Sequence, residues 1–192
     1  MDTTVGLRER KKAETRQAVH EAALRLVLEH GFDAVTVEAI SDAANISRRT
    51  FSNYFAGKED ALLYGEEQRV RQLVDLVRAQ PAGLSAWEAL CGALQSLSEI
   101  MGEPDRERVL RARLAKRHPS LLARQLATMA TLERELADAV AGRASDVPPR
   151  VLGAAFMTAM RLANQEWAEE GQTRTFVEVV LETLGQIARP FA

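Results

Sequence analysis

The chain has 192 residues, 46% of them hydrophobic, which is enough apolar material to bury a sizeable core in one or two domains. Its formal net charge of −2 excludes the strongly basic class of proteins that bind nucleic acid indiscriminately. A single cysteine excludes an intrachain disulfide and a cysteine-rich zinc site, and no apolar run approaches the roughly 18 residues that span a bilayer. We therefore expect a cytoplasmic protein with no membrane contact, no metal and no cofactor.

Helix signals follow one another along the whole chain. Gly31 is placed to end the first helix as a left-handed C-cap, and Ser85 with Glu88 predicts a capping box. First helical positions are predicted for Pro104, Pro119 and Pro148. The β-branched residues are scattered and form no alternating runs between hairpin turns. The pattern predicts an all-α fold with helices near residues 9–29, 37–44, 48–55, 58–79, 86–101, 104–117, 119–142, 148–170 and 174–189.

Residues 36–58 predict two short helices joined by a tight turn. Thr36 and Ser47 each have a side-chain oxygen that can accept from the free amides at the start of a helix. Apolar residues recur at helical spacing on one side of both segments. They are Val37, Ile40, Ala44, Ile46, Phe51 and Phe55. The segment is therefore a candidate helix-turn-helix whose second helix keeps a polar face.

The polar face of this second helix carries residue types that read duplex DNA. Arginine can form two hydrogen bonds with a guanine edge, and asparagine can do the same with adenine. In a helix-turn-helix, the N-terminal residues of the second helix reach base edges in the major groove. The candidate base-reading residues are Arg48, Arg49, Thr50 and Asn53. The alternative is an ordinary helical hairpin whose arginines are merely solvated.

The segment at the start of the first long helix favours the DNA interpretation. Its basic side chains outnumber the acids Glu9 and Glu14 and leave a local excess of positive charge. The basic residues are Arg8, Arg10, Lys11, Lys12 and Arg16. Such a segment is positioned to track phosphates, and we expect Arg10, Lys11 and Lys12 to contact the DNA backbone.

These residues resemble the DNA-binding domain of TetR-family transcriptional regulators. The resemblance covers about residues 8–65 and rests on Gly31-Phe32, Thr36-Val37, Ile40, Ala43-Ala44, Ile46-Ser47-Arg48-Arg49-Thr50-Phe51, Asn53-Tyr54-Phe55 and Lys58-Glu59. It implies an N-terminal three-helix domain, residues 1–58, and a larger helical ligand-binding and dimerisation domain, residues 59–192. It also implies base contacts from Arg48, Arg49, Thr50 and Asn53, and phosphate contacts from Thr36, Ser47, Tyr54 and Lys58.

Residues 49–55 followed by Lys58-Glu59-Asp60 are further similar to the branch typified by the mycofactocin regulator, some of whose members sense acyl-coenzyme A. The family resemblance implies a homodimeric repressor of a palindromic operator. It also implies release by a small apolar or amphipathic effector.

Two apolar stripes near the C-terminus predict self-association. Candidate interface residues on the eighth helix are Val151, Ala155, Ala159 and Leu162, and those on the ninth are Val177, Val180, Leu181 and Leu184. Two copies could form a four-helix interface. The alternative is that both stripes face only the core of their own subunit.

Aromatic and methionine side chains at helical spacing are candidates for an effector pocket. They are Trp87, Leu90, Leu94 and Met101 on the fifth helix and Phe156, Met157, Met160 and Trp167 on the eighth. Arg161 and Asn164 could provide polar anchors. The alternative is that these side chains are plain core.

Residues 106–124 contain seven basic side chains and one acid, Glu107. The basic residues are Arg106, Arg108, Arg111, Arg113, Lys116, Arg117 and Arg124. Because arginine binds phosphate through two hydrogen bonds, Arg113 and Arg117 are candidates for the phosphates of a coenzyme A thioester. A solvated basic helix face is the alternative.

Two other classes of protein remain open from the residues alone. An enzyme would need a catalytic constellation, but His20, His30 and His118 are far apart in sequence and no hydrolase or phosphate-binding motif is present. A helical protein-interaction module would use the Arg48 to Tyr54 face to bind an acidic partner.

Overall fold

The structure, a computed structural model, describes residues 3–102, 106–169 and 174–188. These residues form nine α-helices and no strand, which confirms the predicted all-α fold. The helices are α1 Thr3–His30, α2 Val37–Ala43, α3 Arg48–Ser52, α4 Lys58–Ala79, α5 Ala86–Met101, α6 Arg106–Arg117, α7 Pro119–Val140, α8 Pro149–Glu169 and α9 Phe176–Ala188. None of the helices in the described ranges is long and apolar enough to cross a membrane.

Most helix ends lie where local capping chemistry predicts them. Gly31 has a φ of 81° and donates its amide to the Val27 carbonyl over 2.9 Å, as a C-cap should. The capping box of Ser85 and Glu88 is present at the start of α5. The hydroxyl and the amide of Ser85 donate to the Glu88 carboxylate, and these hydrogen bonds hold the pKa of Glu88 below its usual value.

Some predicted ends are corrected. Helix α8 begins at Pro149, since Pro148 accepts its first intrahelical bonds from Val151 and Leu152. Helix α9 begins at Phe176, after a capping interaction in which the Glu178 amide donates to the Thr175 hydroxyl and the Thr175 amide donates to the Glu178 carboxylate. The position predicted for Pro104 lies outside the described residues.

The chain divides into two compact units, residues 1–68 and 69–192, and the division falls inside α4. The domain limit predicted at residue 58 marks the start of α4. The first part of that helix belongs to the N-terminal unit because it packs against α1. The buried imidazole of His20 on α1 bonds the Ala61 carbonyl through Nδ1 over 2.8 Å.

The N-terminal unit has a small apolar core. Buried side chains come from helices α1 to α4, from the loop after α1 and from the loop after α3. They include Val19, Leu24, Val27, Phe32, Val35, Ile40, Phe51, Phe55 and Leu62. Helix α1 approaches α4 closely at Gly65, where a Cβ atom would lie 2.5 Å from Nε2 of His20. A side chain at position 65 would therefore displace the buried His20 imidazole.

The C-terminal unit is built around α8, which packs against both α7 and α9. Buried residues of α8 meet the second part of α4 and helices α5, α7 and α9 in one core. At Gly153, a Cβ atom would lie 2.8 Å from the Glu133 carbonyl oxygen of α7. A side chain at this position would separate the two helices.

Arg143, in the loop between α7 and α8, fixes the C-terminal end of α4. Its guanidinium donates to the carbonyls of Val77, Gln80 and Pro81 over 2.8 to 3.1 Å. These carbonyls belong to the last turn of α4 and the residues after it, where helix carbonyls have no intrahelical partner. A cation at this position also interacts favourably with the helix dipole.

Candidate nucleic-acid interface

The predicted caps of the helix-turn-helix are present. The Thr36 hydroxyl accepts from the Ala39 amide over 3.2 Å, and the Ser47 hydroxyl accepts from the Thr50 amide over 3.0 Å. Ser47 and Thr50 also bond each other through their hydroxyls at 2.9 Å. Thr50 is half-buried beside the cap. Sequence reasoning counted it among the residues that contact base edges.

The turn between α2 and α3 depends on Asn45, a residue that sequence reasoning missed. Its φ is 53°, in the left-handed region that asparagine tolerates better than most residues. The Asn45 amide donates to the Asp42 carbonyl, and the next amide, of Ile46, donates to Ser41. An asparagine after the apolar run of α2 was the available signal for this turn.

Aromatic packing fixes the direction of α3. Phe51 and Phe55 are buried with their ring centroids 5.6 Å apart, and Phe55 meets the edge of Tyr64 on α4 at 5.7 Å. With this face turned inward, Arg48, Arg49 and Asn53 are exposed. Asn53 is the C-cap of α3, which ends three residues earlier than the sequence predicts.

Two contacts hold side chains beside this exposed face. The guanidinium of Arg16 on α1 lies 5.3 Å from the ring centroid of Tyr54, within the range of a cation–π interaction. Nη1 of Arg48 lies 2.8 Å from Oε1 of Glu38 on α2. Arg16 was recognised in the sequence only as part of the basic segment, and the structure adds it to the Tyr54 site.

The three predicted phosphate-binding residues of α1 are arranged differently from one another. Arg10 pairs with Glu14 at 3.5 Å, and Lys12 pairs with Glu9 at 2.7 Å. The bond from Lys12 lowers the pKa of the Glu9 carboxyl. Lys11 is exposed. Surface pairs of this kind contribute little stability, so the cations can exchange a carboxylate for a phosphate.

Lys58 has a structural role that its spacing did not indicate. Its ammonium donates to the carbonyls of Phe32 and Val35 over 2.7 and 3.0 Å, and lies 4.3 Å from the centroid of the Phe32 ring. The first residue of α4 thereby holds the loop between α1 and α2.

Among the described residues, no group of three His, Cys, Asp or Glu side chains could hold a metal ion.

Residues 20–64 match the family described as bacterial regulatory proteins of the tetR family, and residues 84–192 match the MftR C-terminal domain. The chain belongs to the TetR family. The chain is therefore a DNA-binding transcriptional regulator. It is neither an enzyme nor a helical interaction module that binds no DNA.

Relatives of this TetR-family protein are regulators as well. It is 31% identical over 173 residues to the HTH-type transcriptional regulator TcmR of Streptomyces glaucescens, covering 84% of this chain and 76% of TcmR. It is 25% identical over 166 residues to MftR of Mycobacterium tuberculosis, named for mycofactocin biosynthesis, covering 84% and 83%.

Solved structures share the fold at lower identity. Thermus thermophilus FadR, a TetR-family repressor in complex with lauroyl-CoA, matches with a TM-score of 0.62 and 24% identity over 90% of this chain and 92% of FadR. A TetR-family regulator from Syntrophomonas wolfei matches with a TM-score of 0.68 and 17% identity over 92% and 94%.

The predicted pocket residues lie mostly inside the core of the C-terminal unit. Leu90, Leu94, Phe156, Met157, Met160 and Trp167 are buried, and Trp87 is half-buried against them. The indole nitrogen of Trp167 donates to the Arg174 carbonyl over 3.0 Å and so ties the residues before α9 to α8. Arg161 and Asn164 are half-buried, and Arg113 and Arg117 are exposed. The side chains of Met101, Arg106, Arg108 and Arg111 lie outside the described set.

The predicted dimer residues separate into two groups. Ala159, Val180 and Leu184 are buried in the core of their own chain, which is the alternative that the sequence left open for these stripes. Two other positions, Val151 and Leu162, are 46% and 40% exposed. Ala155, Val177 and Leu181 are half-buried. The buried and the exposed apolar residues of α8 lie on adjacent sides of the helix. Helical spacing alone therefore grouped residues of both kinds into one stripe.

We predict that Lys58→Met lowers the free energy of unfolding by about 1 to 3 kcal/mol, because the partly buried Phe32 and Val35 carbonyls lose a charged donor. Chemical denaturation would measure the change. Lys11→Met, an exposed control on α1, should change stability by less than about 0.5 kcal/mol. Equal stability of the two variants would contradict the structural role of Lys58.

Proposed function

We propose that the protein is a repressor that binds a palindromic operator as a homodimer and leaves it when a small apolar or amphipathic effector binds. The observation that carries the proposal is the exposed face of α3, where Arg48, Arg49 and Asn53 point away from the buried Phe51 and Phe55. A two-fold dimer would present two such faces to half-sites about one helical turn apart.

The DNA contacts divide into two kinds. We assign base edges to Arg48, Arg49, Thr50 and Asn53, with Thr50 limited by its bond to Ser47. Phosphate contacts are assigned to the capping hydroxyls, to Tyr54 beneath Arg16 and to the basic residues of α1. They are Thr36, Ser47, Tyr54, Arg10, Lys11, Lys12 and Arg16. Lys58 is retained only as a residue that shapes the neighbouring loop.

Selection of bound duplexes from a random library should enrich a palindrome. On that duplex, Arg49→Ala should weaken binding by about 5- to 150-fold and relax discrimination at one base position in each half-site, because a bidentate base contact is lost. Lys11→Ala should weaken all sequences about equally and reduce the salt slope by about one.

Titrations of both variants against single-base substitutions of the selected duplex, at two salt concentrations, would measure these effects. Absence of enrichment at low salt would overturn the operator proposal. The same response of the two variants in both assays would overturn the division into base and phosphate contacts.

We assign the dimer contact to one surface, the α8–α9 face. It comprises Val151, Ala155, Thr158 and Leu162 of α8 and Val177, Leu181 and Gly185 of α9. Val151 and Leu162 are large exposed apolar side chains about three turns apart on the same side of α8. Among the described atoms apart from its neighbouring backbone, none lies within 4 Å of a Cβ atom built at Gly185. A second helix could approach α9 closely there.

Leu162→Glu should weaken dimerisation by about 100-fold or more. In a two-fold dimer, the new carboxylate would lie near the same carboxylate of the partner subunit or become buried in an apolar contact. Leu126→Glu on α7 is the matched control, since Leu126 is 47% exposed and lies outside the α8–α9 face. Sedimentation equilibrium would give both constants. A wild-type dimer constant for Leu162→Glu would place the contact on another surface.

The effector proposal is an acyl-coenzyme A thioester. Its support is the match to the MftR C-terminal domain, the lauroyl-CoA bound by Thermus FadR and the exposed cations Arg113 and Arg117. The acyl chain would enter the region of Met157 and Met160, whose flexible side chains repack readily. The effector must favour a conformer whose α3 helices no longer fit the operator.

Arg113→Gln with Arg117→Gln should raise the lauroyl-CoA concentration that half-releases the operator by at least about tenfold, because two phosphate-binding cations are removed. Arg134→Gln with Arg150→Gln is the control, because both arginines are exposed outside residues 106–124. Fluorescence anisotropy of labelled operator would measure release. If Arg113→Gln with Arg117→Gln leaves the half-releasing lauroyl-CoA concentration unchanged, these two arginines do not bind the phosphates of the effector.

A further inference from the structure

An ion pair joins the two helices of the helix-turn-helix across its exposed face. Oε1 of Glu38 lies 2.8 Å from Nη1 of Arg48, and the two side chains are 51% and 70% exposed. Glu38 lies in the first turn of α2, and Arg48 is the first residue of α3. A base-reading arginine of the free protein is therefore already held by a carboxylate of its own chain.

We propose that Glu38 is a specificity-determining residue that positions Arg48 for one base and weakens binding to all other DNA. The inference rests on the proposed function, in which Arg48 contacts a base edge. Glu38 itself touches no base in this proposal and acts through Arg48.

The geometry of the guanidinium allows both contacts at once. Arginine carries five N–H donors in a planar fork, which is more than one carboxylate oxygen can use. A guanine edge offers two acceptors, O6 and N7. With Nη1 near Glu38, the fork loses rotational freedom before DNA arrives, so less freedom is lost when the base is bound.

The charge of Glu38 acts differently on matched and unmatched DNA. On a matched site the Arg48 guanidinium lies between the carboxylate and the base, and it screens the repulsion between Glu38 and the DNA. On unmatched DNA an unrestrained arginine would turn to a phosphate, a contact that every sequence offers. That turn would leave the Glu38 carboxylate unpaired beside a polyanion. The carboxylate thus opposes the sequence-independent contact more than the specific one.

A simpler role for Glu38 must be distinguished from this one. An acid in the first turn stabilises α2 through the helix dipole whatever Arg48 does. Its removal would also strengthen binding to every duplex by the same factor, because one negative charge is lost near DNA. Discrimination between bases is the readout that neither effect changes.

The test uses the full chain and four variants: Glu38→Gln, Glu38→Asp, Arg48→Ala and the double variant of Glu38→Gln with Arg48→Ala. Asp42→Asn is the control for charge, because Asp42 is exposed on the same helix. Dissociation constants are measured for the selected operator, for its single-base substitutions and for an unrelated duplex. Thermal melting checks that each variant is folded.

Glu38→Gln is expected to bind the unrelated duplex about three- to tenfold tighter and to lose about tenfold of its discrimination at one base position. Glu38→Asp keeps the charge on a shorter side chain, so it should lose discrimination while its binding to the unrelated duplex stays weak. Asp42→Asn should change all duplexes by one factor. In the Arg48→Ala background, Glu38→Gln should no longer alter discrimination.

Four results would overturn the inference, and they separate the role of Glu38 from that of Arg48. If Glu38→Gln changes all duplexes equally, or if its effect on discrimination persists without Arg48, Glu38 does not act through Arg48. If Arg48→Ala discriminates every base position as the parent does, Arg48 reads no base, and both its proposed role and the inference fail. If Arg48→Ala loses discrimination while Glu38→Gln keeps it, the base contact stands and only the role of Glu38 is lost.

Discussion

The burial of Phe51 and Phe55 is the interaction on which the DNA-binding face depends. Helix α3 has five residues, too few to form a stable helix in isolation. Its direction is set by the tilted contact between the rings of Phe51 and Phe55 and by the edge contact of Phe55 with Tyr64 on α4. Once these rings are inside, helical geometry leaves the arginines at the start of α3 no direction but outward. The exposure of these arginines therefore depends on an apolar contact inside the N-terminal unit.

What the sequence predicts well is what neighbouring residues determine. The caps Thr36 and Ser47 and the end at Gly31 depend on atoms within one turn, and all three are present. Lys58 bonds carbonyls 23 and 26 residues away, which no local spacing encodes. On α8, the exposed Val151 and Leu162 adjoin the buried Ala159, and only the packing of α7 and α9 decides which stripe faces inward.

Helix α4 is held at both ends by cations that bond carbonyl oxygens. Lys58 begins the helix and bonds the loop after α1, within the N-terminal unit. Arg143 bonds the carbonyls at its far end, within the C-terminal unit. Since the division between the units falls inside one continuous helix, each unit fixes its own end of α4. A change of packing in either unit that moves its end of α4 must be absorbed by the helix or transmitted along it.

The cations of the DNA-binding face come with carboxylates of their own. Arg48 pairs with Glu38, Lys12 with Glu9 and Arg10 with Glu14. A phosphate contact made by one of these residues would replace an internal counterion instead of adding a new ion pair, so its net gain would be small. Under the proposed contacts, these three cations would add little to binding of arbitrary DNA, in keeping with a net charge of −2. In the role proposed for Glu38, a base contact by Arg48 differs because it is added while the carboxylate stays, and this difference would favour the matched sequence.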